Sequence, residues 1–153
     1  MAPVIFENVD ALEGAVGKRV AQSGWVTITQ AMIDEFAEVT GDHQWIHIDA
    51  DRAARESPYK VTIAHGFLTL SLLSRLIGEA VSLPNRRLSL NYGFDRVRFI
   101  APVPVDSEIR ASFSVDHVKR TPDGAQIGWA IEVERRGSEK PVLAAVWLSR
   151  MIG

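Results

Sequence analysis

Residues 65–81, HGFLTLSLLSRLIGEAV, constrain the fold of this chain more than any other stretch. At helical spacing, Phe67, Leu68, Leu70, Leu72, Leu73, Leu76, Ile77, Ala80 and Val81 cover most of the circumference instead of one stripe. A helix apolar nearly all round is expected to be buried on most sides. Arg75 and Glu79 interrupt the run, and it is too short to span a bilayer. Downstream of this helix the chain reads almost entirely as strand. Between residues 107 and 117, Ile109, Ala111, Phe113 and Val115 alternate with Arg110, Ser112, Ser114 and Asp116. After a turn at Thr121–Gly124, Ile127, Trp129, Ile131 and Val133 alternate with Gly128, Ala130, Glu132 and Glu134. The segment 142–148, VLAAVWL, is apolar on both faces and suits a sheet centre. An earlier strand is expected over about 87–100.

Upstream, residues 18–28 read as a strand. Thr29 is placed to cap a helix over QAMIDEFAEVT, with Ile33, Phe36, Ala37 and Val39 near one face and Gly41 ending it. A short helix is expected over DADRAARES. The economical packing is a curved antiparallel sheet wrapped round the apolar helix, an α+β arrangement with the pattern of a hot-dog fold. At 153 residues, with 46% apolar and 24% charged, the chain suits a single domain over 1–153. No internal repeat or linker divides it. The net charge of −2 gives no reason to expect nucleic acid or an anionic membrane as a partner. There is no cysteine, which excludes disulfides, thiolate catalysis and thiolate-bound metal and fits a reducing cytoplasm. The N-terminus shows no pattern of a secretory signal.

Chemistry concentrates in residues 40–47, TGDHQWIH. Asp42 and His47 are five apart, a spacing that puts them about 140° apart on a helix and on opposite faces of a strand. They converge only if the backbone between them is irregular. Trp45 and Ile46 would then help to dry the site.

FAEVTGDHQWIHID, followed by TIAHGFLTLSLLSRL, resembles the MaoC-like dehydratases, the (R)-specific enoyl-CoA hydratase family. LNYGFDRVRFIAPVPV looks like its NodN-like branch. Phe36, Gly41, Asp42, Ile46 and His47 match the family motif, whereas Gln44 and Trp45 stand where Asn-Pro is usual. The resemblance covers residues 20 to 148. It implies that Asp42 and His47 hold one water and share the acid and base work, with no metal and no cofactor. The N–H of Gly66, in the first turn of the apolar helix, is the implied oxyanion donor. It further implies an acyl-CoA thioester substrate, a homodimer, and an acyl tunnel near the subunit boundary. Gln44, Trp45, Ser74 and Asn91 are expected near the substrate, Ser74 with a packing role as the other reading. His65 is expected to be structural, and His43 and His117 to lie at the surface. Arg86, Arg87, Arg96 and Arg98 are candidates for the CoA phosphates, or a solvated face. A metal site of His43, His47 and Asp49 is the weaker reading of the histidines. Rival functions are an acyl-CoA thioesterase, for which Glu79 is the only acid well inside the helix, and a non-catalytic acyl-binding module.

Overall fold

A computed structural model describes residues 2–153. Five strands form the path of an antiparallel sheet in the order β2 (Arg19–Gln22), β6 (Glu108–Thr121), β7 (Gly124–Arg135), β8 (Leu143–Ile152), β5 (Leu88–Phe99). A sixth, β3 (Val26–Thr27), also pairs with β6. The alternation in the sequence maps directly onto this sheet. Ile109, Ala111, Phe113, Val115, Ile127 and Val133 are fully buried, and Trp129 and Ile131 nearly so. The β6–β7 hairpin closes at Thr121 and Gly124 as expected. β8 lies between β7 and β5, inside the sheet.

Against this face packs the apolar helix. It runs as α5 (Gly66–Ser71) and α6 (Leu73–Ala80). Leu72 between them keeps right-handed dihedrals of −66° and −14°. Bonds from Leu72 N–H to Leu68 O (3.0 Å) and from Leu76 N–H to Leu72 O (2.9 Å) carry the ladder through. Leu68, Leu73, Leu76 and Ala80 join Phe113, Trp129 and Trp147 in one core. This is the hot-dog arrangement. The opposite face of the helix stays open in the single chain, however, with Phe67 67% exposed and Ser74, Arg75 and Gly78 off the core. Burial on most sides therefore does not hold within this chain. Leu76 is completely buried. Leu76→Ala should cost about 2–5 kcal/mol for lost apolar contact plus the cavity left behind. Denaturant unfolding, with the slope unchanged, measures it.

Three local readings need correction. The strand expected over 18–28 is broken into β2 and β3. Ser23 lies between them and bonds β6 through its own N–H to Ala111 O (2.9 Å) and by accepting Ala111 N–H on its hydroxyl (3.0 Å). Val39 is 85% exposed, because six residues after Ile33 is a rotation of about 240° to the far side of the helix. The N-terminal segment forms β1 (Val4–Ile5), parallel to β4 (Val81–Ser82), and α1 (Val9–Glu13), none of which the residue pattern predicts.

Candidate active site

The helix α2 (Gln30–Thr40) opens at Thr29, whose hydroxyl accepts Met32 N–H, and closes at Gly41 in the left-handed region (φ 75°). That conformation favours glycine, and it turns the chain sharply out of the helix. The Asp42 carboxylate then accepts the N–H of Gln44 (3.3 Å), a turn that leads into a single helical turn, α3 (Trp45–Ile48). So the backbone between the acid and the histidine is a turn followed by one helical turn, instead of being irregular throughout. The next helix, α4 (Ala50–Glu56), is capped by Asp49, which accepts Arg52 N–H at 3.0 Å.

Asp42, His47 and His65 each bring a potential ligand atom within 4.8 Å of the others. Asp42 is exposed; His47 is buried. The Nδ1–H of His47 donates to Ile63 O at 2.7 Å, which assigns the proton to Nδ1 and leaves the lone pair on Nε2. Burial holds the proton affinity of His47 below that of a free histidine. The carbonyl of Ile63 and the proximity of Asp42 oppose that shift, and neighbouring His65 adds to it. A buried neutral imidazole with one free nitrogen is a base ready at neutral pH. A carboxylate and a ring nitrogen at this separation leave room for one water, since two hydrogen bonds of about 2.8 Å span that gap.

The segment is braced from three sides. Ile63 N–H donates to Ile46 O (3.0 Å). Gln30 Nε2 donates to His47 O (2.8 Å), and Thr62 Oγ1 donates to Gln30 Oε1 (2.6 Å). A cavity of about 330 Å³ opens beside His47, lined also by Tyr59, Gly66, Thr69, Phe99 and Val103. Gly66 heads α5, where first-turn N–H groups lack intrahelical acceptors and the helix dipole favours negative charge. The ring of Phe99 lies against it: a Cβ on Gly66 would come within 2.9 Å of Phe99 Cδ1.

The other expected residues fall elsewhere. Trp45 is half-buried beneath the Arg52 guanidinium, 4.4 Å from the ring centroid, and Gln44 is exposed; neither lines the His47 cavity. Ser74 and Asn91 meet in a second cavity of about 230 Å³, walled by Ile77, Trp129 and Trp147. Glu79 pairs with Arg75 at 3.0 Å on the exposed side of α6, away from the site. His43 is exposed and binds Glu38. Arg86, Arg87, Arg96 and Arg98 are all exposed, Arg86 donating to Leu83 O. The metal reading named the wrong trio; the converging groups are Asp42, His47 and His65. One nitrogen of each ring already donates to a backbone carbonyl, and the two rings stack at 3.8 Å and 23°. Tyr59, Thr69, Phe99 and the carbonyl of Ile63 were not anticipated. They reach the site only through tertiary packing, and no local pattern marks them.

No described helix is long and apolar enough to cross a membrane. Residues 11–128 match the family described as MaoC like domain. The chain is 47% identical over 150 residues to 3-hydroxyacyl-thioester dehydratase Z of Mycobacterium tuberculosis, covering 96% of this chain and 97% of that one. It is 44% identical over 153 residues to Nodulation protein N of Rhizobium meliloti, covering 97% and 92%. Among solved structures it is similar to the unliganded R-hydratase PhaJ1 of Pseudomonas aeruginosa. The TM-score there is 0.73, with 25% identity over 90% of this chain and 81% of that one. The (R)-hydratase of A. caviae gives a TM-score of 0.69 with 24% identity, covering 88% and 97%. The chain belongs to the MaoC-like dehydratases, a family of hydro-lyases.

Proposed function

We propose that this protein is an (R)-specific enoyl-CoA hydratase, adding water reversibly to a trans-2-enoyl-CoA to give the (R)-3-hydroxyacyl-CoA. The observation that carries the reading is the placement of Asp42 within 4.8 Å of a buried neutral His47, beside a cavity headed by the N-terminus of α5. One water sits between the pair, oriented by the Asp42 carboxylate. His47 Nε2 takes a proton as the water oxygen bonds C3. The electron pair of the C2–C3 double bond moves toward the thioester, and the enolate oxygen accepts the N–H of Gly66. The proton then passes to C2, Asp42 and His47 sharing the transfer. No electrons are gained or lost overall, so the step requires no redox cofactor. The 3-hydroxyacyl-thioester in the name of the mycobacterial relative is the product side of the same reaction.

The working unit in this reading is a homodimer acting on acyl-CoA in cytoplasmic fatty-acid metabolism. β5 pairs with β8 on one side only, and it leaves Leu90 50% and Tyr92 62% exposed. A long apolar edge strand is a surface that chains normally cover. A second subunit there would also cover the open side of α6. The cavity holding Ser74 and Asn91 would receive the far end of the acyl chain, leaving Gln44 and Trp45 at the mouth.

Incubation with a short and a long trans-2-enoyl-CoA tests the reading. Loss of the conjugated-thioester absorbance without an added cofactor is expected, and chiral analysis should return the (R) alcohol, the configuration that the likeness to the R-hydratase PhaJ1 supports. An (S) product would overturn the proposed stereochemistry. Release of free CoA without hydration would put the protein among thioesterases.

A further inference from the structure

Two buried polar atoms without a partner lie one helical turn apart beside the site: His65 Nδ1 and Thr69 Oγ1. Each residue is 3% exposed. His65 is the extended N-cap of α5, and the N–H of Thr69 donates to its carbonyl at 3.3 Å, which keeps the two residues adjacent. Leaving a buried acceptor and a buried donor both unmade is costly. A threonine hydroxyl is a fit donor for a ring nitrogen that carries no proton.

The rest of the His65 ring is fully committed. Its Nε2–H donates to the backbone carbonyl of Asp42 at 3.0 Å. One face stacks on His47, centroids 3.8 Å apart, and Phe36 braces the ring at 5.0 Å. A single side chain thus holds the backbone of the acid and the ring of the base, and it directly precedes Gly66. Space-filling alone does not call for an imidazole here. Phenylalanine would fill nearly the same volume and donate nothing.

Resting on the hydratase reading, we infer that His65 is a positioning residue that sets Asp42 in register with His47, and that the Thr69 hydroxyl fixes its tautomer through one buried water. The tautomer matters. With its proton on Nε2, the ring holds the Asp42 carbonyl. With the proton on Nδ1, a lone pair would face that carbonyl and push the Asp42 turn away. The titratable groups facing His47 are Asp42 from the turn after α2, His65 ahead of α5, and Tyr59 across the cavity.

The test uses the full chain, whose four histidines suit ring-nitrogen NMR. His65→Phe keeps a stacking ring and loses the donor. His65→Asn keeps an amide donor and loses the stack. Thr69→Val removes one hydroxyl at nearly constant shape. With His65→Phe, kcat should fall about ten- to a hundred-fold while KM stays within about three-fold, as expected for misplacement of a reacting group. His65→Asn should recover part of that loss. In both, His47 should titrate at higher pH, because a neighbour that lowers its proton affinity is gone, and the acid limb of kcat/KM should rise with it. Thr69→Val should populate a second His65 tautomer and lower kcat less.

A folded His65→Phe protein with normal kcat, an unmoved acid limb and only a lower melting temperature would overturn the positioning role. A single Nε2–H tautomer in Thr69→Val would overturn the part given to Thr69. If His65→Phe fails to fold, Thr69→Val alone decides, since unaltered kcat and tautomer there reject the inference. If the wild-type protein hydrates no enoyl-CoA, the hydratase reading falls by itself. The His65 tautomer needs no substrate: a second tautomer in Thr69→Val still supports the part given to Thr69, and a single one removes it.

Discussion

Asp42→Asn should lower hydration about 10²- to 10⁴-fold, the range for a positioned acid–base group, while the protein melts at its usual temperature. The structure gives the reason for both halves. The side chain is exposed, and its one protein contact is acceptance of the Gln44 N–H, which an asparagine carbonyl reproduces. Only the carboxylate's charge and basicity are lost. His47→Ala should lower turnover over the same range, with an added stability cost, because Ile63 O loses its ring donor. In the proposed mechanism both groups act on one water, so the double mutant should be little slower than the worse single. Steady-state kinetics on all three, each corrected for folded fraction, measures this. Normal turnover in folded Asp42→Asn would remove the acid–base role. Multiplicative losses would mean that the two residues serve separate steps.

Gly66→Val should slow turnover at least ten-fold, by keeping the thioester oxygen from the N–H at the head of α5. A residue at a helix end suggests at first that stability would be spared. The Phe99 ring says otherwise, since it occupies the space a Cβ would need. An overpacking loss of about 1–3 kcal/mol should therefore accompany the kinetic one. Phe99→Ala separates the two effects. Combined with Gly66→Val it should return most of the lost melting temperature and leave the enzyme slow, with Phe99→Ala alone as the control. If turnover came back together with stability, Gly66 would matter only for packing against the ring.

Where a side-chain period repeats over many residues, the fold was legible. β6 keeps one face buried from Ile109 to Val115 and β7 from Ala125 to Val133, and α2 is framed by a threonine cap and a left-handed glycine. Short elements carry no period, so the two-residue strands β1 and β4 left no trace in the sequence. Ser23 interrupts a strand by a side-chain bond to a residue 88 positions away, which no local window contains. The open side of α6 is a different case. Ser74, Arg75, Gly78 and Glu79 lie exposed there, so the reading of a helix apolar nearly all round holds for only part of its circumference. The site divides in the same way. Asp42, His47 and Gly66 stand in motifs. His65 is expected to be structural from the sequence, and its ring contacts run to residues 18, 23 and 29 positions back, outside any local window. Phe99 belongs to the site only because β5 ends beside Gly66.

Ile63 is bonded in both directions, its N–H to Ile46 and its carbonyl to the His47 ring, and three residues later the chain reaches Gly66. The candidate base and the Gly66 N–H therefore ride on one short segment, tied by the Ile63–Ile46 backbone bond and the bond from the His47 ring, and held on its other side by Ala64 N–H to Val103 O and Val105 N–H to Thr62 O. Fraying at the distant β6–β7 tip passes little strain into the reacting distance. A slip between residues 46–47 and 63 opens it at once. Activity is therefore expected to be lost on heating at the local opening of this segment, before the sheet unpairs, which activity and far-UV circular dichroism followed on one melting ramp would separate.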